Sequence, residues 1–307
     1  MDKIKIHAPA TVANLSCGFD VLGLCLEKPY DEIEIHKIQK KNVELKILES
    51  PYNNIPDNPN YNTGGVPAQL ILKDLDLDFG FTIKIKKGIP LCGGLGSSAA
   101  TSAGVVYAIN QLLDNQLNQY QMLKYALEGE KISASNPHAD NIAPCLLGGL
   151  TLIRDTKSLD VFNIPISNYH VALIHPHITI KTEDARNILP KSINLKTAVT
   201  QWGNVGGLVL GFTSNNKDLI KKSMQDIVVE PVRSNLIEGF DIIKSNALRL
   251  GAIGSGISGS GPTIFALCES AVIANSILQF SKSYYSSIDM QCDIFSSKVN
   301  TEGPVII

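Results

Sequence analysis

Long apolar runs are missing from this chain of 307 residues. None approaches the 18 or so residues that a membrane-spanning helix needs, so no membrane partner is expected. An excess of one charge is missing too. Lys and Arg number 27 against 29 Asp and Glu, a formal net charge of −2, and the densest basic stretch is Lys37, Lys40 and Lys41. Proteins that bind nucleic acid carry a basic face, so nucleic acid is not an expected partner. The opening MDKIKIHAPA lacks the apolar stretch of a secretory signal. Six cysteines (Cys17, Cys25, Cys92, Cys145, Cys268 and Cys292) are scattered without a CxxC pair, the spacing on which zinc and dithiol sites are built. They read as reduced, buried thiols of a cytoplasmic protein. No internal repeat or low-complexity segment is evident.

What is present is mixed patterning. Residues 3–7, 31–36, 43–48 and 81–86 alternate apolar and polar side chains, as half-buried strands do. Residues 148–154, 169–175, 262–268 and 289–295 also read as strands. Helical patterns cover 66–77, the small-residue stretch through Leu113, 119–132, 195–211, 216–227, 234–250 and 271–284. Residues 50–63, with Pro51, Pro56, Pro59 and several Asn, read as loop. Asp160, Pro165 and Asn168 interrupt the pattern, which divides the chain into domains at 1–165 and 166–307. Strands and helices do not alternate strictly, so the expected class is α+β.

The most informative segment joins a strand to a helix: Gly88-Ile-Pro-Leu-Cys-Gly-Gly-Leu-Gly-Ser-Ser-Ala-Ala100. Gly93, Gly94 and Gly96 let the backbone aim its N–H groups at one point, Ser97 and Ser98 add hydroxyls, and the helix start adds positive partial charge. Such a loop suits a triphosphate. It is not a Walker A loop, because no Lys follows Gly96. A second glycine-rich stretch, Leu250–Thr263, contains a GxGxxG at Gly254–Gly259. A helix pattern precedes it and a strand follows, the reverse of the dinucleotide-binding order, so that reading fails.

The loop residues Pro90, Leu91, Cys92, Gly93, Gly94, Leu95, Gly96, Ser97, Ser98, Ala99 and Ala100 resemble the ATP-binding loop of the GHMP kinases, with Cys92 where a Gly, Ser or Ala is usual. Residues 8–23 (APATVANLSCGFDVLG) are similar to that family's first motif in its homoserine kinase form, with Ser16 in place of a usual Gly. Residues 250–263 match its C-terminal glycine motif. HADNIAPCLLGG at 138–149, TEDAR at 182–186 and VEPVR at 229–233 resemble segments of the homoserine kinase branch.

The resemblance implies a two-domain fold, an N-terminal ribosomal-protein-S5-like domain and a C-terminal ferredoxin-like domain, with the active site in the cleft between them. It implies ATP and Mg²⁺, the metal held by Ser98 and Glu130, and Asn62 beside the adenine. L-homoserine is the implied substrate. Its carboxylate suits the guanidinium forks of Arg186 and Arg233, its ammonium suits Asp20 and the amides of Asn14 and Asn141, and His138 holds the carboxylate or the loop backbone. Glu130 and Asp140 are the implied catalytic pair. Asp140 acting as base and direct attack without a base both stay open. Homodimers are common in that branch. Two rival readings are a GHMP kinase for another small alcohol, and an ATP-binding sensor without turnover; intact Glu130, Ser98 and Asp140 argue against the second.

Overall fold

The structure is a computed structural model and describes residues 1–50, 55–133 and 138–307. The loop expected over 50–63 lies partly outside that range. Its described part contains a 3₁₀ turn at Pro59–Tyr61. The first half of the chain runs β1 (Lys3–Ala13), β2 (Leu22–Ile38), β3 (Val43–Glu49), α1 (Gly65–Asp74), β4 (Gly80–Lys86), α2 (Ser97–Leu112), α3 (Gln119–Glu130), α4 (Ala139–Leu147), β5 (Leu150–Asp155) and β6 (Asp160–Ile164). The second runs β7 (His170–Pro176), α5 (Thr182–Asn187), α6 (Leu195–Thr213), α7 (Lys217–Ser223), α8 (Glu230–Arg233), α9 (Phe240–Arg249), β8 (Gly254–Ile257), β9 (Ile264–Cys268), α10 (Ala271–Ser287), β10 (Cys292–Lys298) and β11 (Val305–Ile306).

Two sheets result. One has the order β11-β1-β2-β4-β3, with β5 paired to β2 and β6 to β5; the other has the order β10-β7-β9-β8. Alternation decides which face of the first sheet is buried. Ile33 and Ile35 of β2 stand opposite Ile6 and Ile4 of β1 and opposite Ile85 and Ile83 of β4, and all six are buried. The intervening residues face out and pair across strands, as in Lys5–Glu32 at 2.7 Å and Lys3–Glu34 at 3.1 Å. α2 covers the inner face. It comes so close at Gly104 that an added Cβ would stand 2.6 Å from the Ala8 Cβ and from the Ile33 Cδ1.

The same parity buries two charges. Asp31 continues the inward series of Ile33 and Ile35, and Lys87 continues that of Ile83 and Ile85. They meet as an ion pair with almost no exposed side-chain surface. Asp31 also accepts from the Gly88 and Ile89 amides at 2.9 and 3.1 Å, and Lys87 donates to the Ser97 carbonyl at 3.0 Å. The pair thus ties the end of β4 to the start of α2.

Several expectations need correction. α4 was not expected, and it holds Pro144 inside it. β6 begins at Asp160, where an interruption was expected, and β8 forms within the glycine stretch. The helix expected over 234–250 breaks: Gly239 takes φ +77, and α9 starts only at Phe240. The helix expected over 216–227 stops at Ser223.

The chain leaves β1 through a left-handed turn. Asn14, Leu15 and Ser16 have φ of 71°, 42° and 68°, and the Gly18 amide closes the turn on the Asn14 carbonyl at 2.8 Å. Left-handed backbone costs an L-residue roughly 1–2 kcal/mol. The Ser16 hydroxyl is moreover buried and has no hydrogen-bond partner among the described residues. Ser16→Gly is therefore expected to stabilise the protein by about 1 kcal/mol, read as a higher urea midpoint at unchanged slope. A lower midpoint would remove the strain argument.

Candidate active site

The glycine-rich loop between β4 and α2 forms one wall of a cavity of about 420 Å³. Two of its glycines are obligatory. A Cβ on Gly94 (φ +76) would stand 2.2 Å from the Ser258 carbonyl oxygen, and one on Gly96 (φ +67) 2.3 Å from Thr11 Oγ1. The loop is fastened by both other motifs. Ser258 Oγ donates to the Gly94 carbonyl at 2.6 Å, the Thr263 amide to the Gly93 carbonyl at 3.2 Å, and the Thr11 amide to the Leu95 carbonyl at 3.1 Å. Gly96 caps α2, and Ser97, Ser98 and Ala99 of its first turn line the cavity. Free amides and the positive end of a helix 16 residues long therefore face the space.

Leu91, Cys92, Gly93 and Gly94 also line the cavity, whereas Pro90, Leu95 and Ala100 do not. Leu95 and Ala100 are core residues, and Pro90 is buried. The Ser97 hydroxyl is turned inward and donates to the Ile89 carbonyl at 3.1 Å, so only its amide is left for an anion.

Ser98 Oγ donates to Glu130 Oε1 at 2.6 Å, and Ser133 Oγ donates to the same oxygen at 2.8 Å. Glu130, at the end of α3, is only 2% exposed. Its Oε2 has no hydrogen-bond partner among the described residues. A buried carboxylate oxygen left bare is costly, and a hard divalent cation would satisfy it. No three His, Cys, Asp or Glu side chains gather as a metal cage among the described residues. A cation that binds one or two protein oxygens and takes the rest from phosphates and water needs no such cage.

At the other end of the cavity, Arg186 Nη2 donates to both oxygens of Asp20 at 3.1 Å. Arg233 Nε donates to the Ala185 carbonyl at 3.0 Å and its Nη1 to the Gly259 carbonyl at 2.9 Å. The Phe19 ring lies under both guanidinium groups, 5.6 Å from that of Arg186 and 5.2 Å from that of Arg233. Burial lowers the Arg233 pKa from its usual value, and the Asp20 charge opposes that shift. Asp140, in the first turn of α4, is 4% exposed. Burial pushes its carboxyl up to about 7, the Asp20 charge adds to the shift, and Arg186 opposes it. Burial also lowers the His138 pKa from its usual value, and the Glu130 and Asp20 charges oppose that shift.

Three amides expected to meet ligands line the cavity and also act as fasteners. Asn14 accepts from the Asp20 amide at 3.0 Å and donates to the Gly259 carbonyl at 3.0 Å. Asn141 accepts from Thr11 Oγ1 at 2.6 Å. Asn62 donates to the Pro56 carbonyl at 2.7 Å and accepts from the Gly64 amide at 2.8 Å, so both ends of its side chain hold its own turn. The wall there is instead apolar, with Ile47, Ile55, Tyr61, Ile85 and Ile132, and suits a flat ring. That wall, Phe19 and Lys87 were not anticipated from the sequence.

α6 is tied to this site. Gln201 Nε2 donates to the Cys17 carbonyl at 2.9 Å and to Asp226 at 3.0 Å. Asp226 in turn accepts from the amides of Val228, Val229 and Glu230, capping the short helix α8 that ends in Arg233.

The profile of the GHMP kinases N terminal domain matches residues 66–149, and that of the GHMP kinases C terminal region matches residues 208–286. A homoserine kinase of Chlorobium phaeobacteroides is 37% identical over 320 residues, covering 100% of both chains. One of Methanococcus maripaludis is 40% identical over 268 residues, covering 87% of this chain and 88% of its own. The crystal structure of homoserine kinase from Cytophaga hutchinsonii superposes with a TM-score of 0.96 at 47% identity, covering 100% of this chain and 98% of that one. The L. major mevalonate kinase structure, at 15% identity and a TM-score of 0.72, shares the fold.

Proposed function

The chain belongs to the GHMP kinase family, and from that premise we propose that it transfers the γ-phosphoryl group of ATP to the side-chain hydroxyl of L-homoserine. The products are ADP and O-phospho-L-homoserine, on the route to threonine. Relatives that match this chain from end to end are homoserine kinases. The observation that carries the substrate is the placing of two guanidinium groups and one carboxylate, Arg186, Arg233 and Asp20, in the same cavity as the phosphate loop. A zwitterion needs both signs. A sugar needs neither, and mevalonate has no ammonium for Asp20.

Phosphoryl transfer needs positioning and charge neutralisation more than covalent chemistry. The amides of the loop and of the α2 start hold the phosphates, and the apolar wall takes the adenine. Ser98 and Glu130 would hold Mg²⁺, which when bound offsets the charge of the β- and γ-phosphates. Arg186 and Arg233 take the amino acid carboxylate, and Asp20 takes the ammonium. Asp140 faces the same space at the start of α4 and receives the hydroxyl proton if a base is used. We read the two sheets as two domains that divide near residue 165. Six free thiols are in keeping with the cytoplasm, and no helix among the described residues is long and apolar enough to cross a membrane.

A coupled ADP-release assay with Mg·ATP against L-homoserine, mevalonate, galactose and shikimate tests this reading. Turnover is expected on L-homoserine alone, and turnover on another alcohol would overturn the reading of the arginines. Arg233→Ala is expected to raise the L-homoserine KM by about 10²-fold, on the order of 3 kcal/mol, with the ATP KM changed much less. An unchanged L-homoserine KM would take Arg233 out of the substrate site.

A further inference from the structure

The charged groups that face the substrate come from separate segments. Asp20 lies on the turn between β1 and β2, and Arg233 ends α8. Gln201 of α6 stands between those two segments. It is buried, and its amide group has three partners. Nε2 donates to the Cys17 carbonyl, in the segment that carries Phe19 and Asp20, at 2.9 Å, and to Asp226 Oδ1 at 3.0 Å. Oε1 accepts from the Ile227 amide at 3.1 Å. A carbonyl and a carboxylate need donors and an N–H needs an acceptor, so these partners fix which way the amide points. They fix the residue type as well: Glu lacks a donor, and Lys and Arg lack an acceptor. Asp226, also buried, passes the link on. Its oxygens accept from the Val228, Val229 and Glu230 amides at 2.9 to 3.0 Å, at the head of the helix that ends in Arg233.

We propose, on the reading of L-homoserine as substrate, that Gln201 is a positioning residue for substrate binding: it sets the spacing between the Asp20 carboxylate and the Arg233 guanidinium. An α-amino acid carries its ammonium and its carboxylate on one carbon, so the groups that receive them must be held at one separation. Asp20 and Arg233 line the cavity and Gln201 does not, so Gln201 acts only through the groups it holds. A second link runs beside it. The Gly259 carbonyl accepts from Arg233 Nη1 at 2.9 Å and from Asn14 Nδ2 at 3.0 Å, and Asn14 holds the Asp20 amide. That link uses the guanidinium itself. The Gln201 link touches neither charged group. The charged end of the amino acid is remote from the hydroxyl that reacts, so a lost spacing removes binding common to the ground and transition states. KM then rises and kcat does not fall with it.

Gln201→Met keeps the length of the side chain and removes its donors and its acceptor. It is expected to raise the L-homoserine KM about tenfold, with kcat and the ATP KM each within about threefold of wild type. A residue that only supported the fold would move all of them. The Arg233→Ala background gives the sharper comparison, because a spacing has no meaning once one of its ends is gone. Adding Gln201→Met to Arg233→Ala is expected to change the L-homoserine KM by less than about twofold more. Asp226→Asn, which puts an NH₂ group in place of one accepting oxygen, is the second variant should Gln201→Met fail to fold, and the same split is expected of it. An L-homoserine KM close to wild type overturns the proposal. So does an equal rise in the ATP KM, or a tenfold effect that persists on the Arg233→Ala background. These failures lie in the variants alone and leave the substrate reading intact. A wild type that turns over another alcohol and not L-homoserine overturns the substrate reading, and this inference with it.

Discussion

Glu130→Gln is expected to lower kcat by on the order of 10³-fold, about 4 kcal/mol of transition-state stabilisation. It is also expected to raise the Mg²⁺ concentration for half-maximal rate more than tenfold. The substitution keeps the shape of the side chain and one acceptor for Ser98 and Ser133, which bond to Oε1 at 2.6 and 2.8 Å. It removes the charge and replaces Oε2, the oxygen without a partner, by an NH₂ group that cannot bind a cation. Among the described residues no Lys or Arg pairs with this buried carboxylate, and Oε2 has no partner, so thermal stability should hold or rise. A lost rate with retained stability separates this role from a fold defect. A kcat within tenfold of wild type would remove Glu130 from the metal site.

The second large effect depends on pH. The Asp140 carboxyl is pushed up to about 7, chiefly by burial, from an ordinary 3.8. Between those two values the folded state holds a proton that the unfolded chain has released. Stability from this group is therefore fully present below about pH 4 and is lost as pH rises through 7. The loss amounts to about 4 kcal/mol across that window. Asp140→Asn stays neutral throughout. In the absence of ligands it should match wild type near pH 4 and exceed it near pH 8, the gap opening between. Denaturant midpoints of both proteins across that range measure it, and a gap that does not vary with pH would contradict the raised pKa. The same pair addresses the open question of the base. If Asp140 accepts the hydroxyl proton, Asp140→Asn should cost about 10²–10⁴ in kcat. A loss below tenfold favours direct attack.

Periodicity and motif order made most of the strands and the place of the glycine-rich loop between β4 and α2 readable in advance, because both signals are local. The buried ion pair has a local signal too. Asp31 shares parity with Ile33 and Ile35, and Lys87 with Ile83 and Ile85, so each charge lies on the core face of its own strand. What hid the rest was separation along the chain. Phe19 under Arg186 and Arg233, and Gln201 holding the Cys17 carbonyl and Asp226, are contacts between distant segments that no local window contains. α4 was obscured by Pro144, which ordinarily argues against a helix, and β8 by glycines that read as a turn. Asn62 and Asn14 line the cavity but also hold the backbone, a double use no sequence pattern reveals. An amide suits a ligand and a turn equally well, and only their partners show the second use.

The pairing of β11 with β1, which aligns Val305 with His7 and Ile306 with Ile6, bears on how the protein is made. A ribosome delivers β1 early, yet the strand that covers its outer edge is translated after the whole second sheet. Until then a nascent chain presents β1 with its outward amides and carbonyls unpaired, the arrangement that invites pairing with another chain. The first sheet is thus complete only when synthesis has passed residue 306, long after β1 has been made.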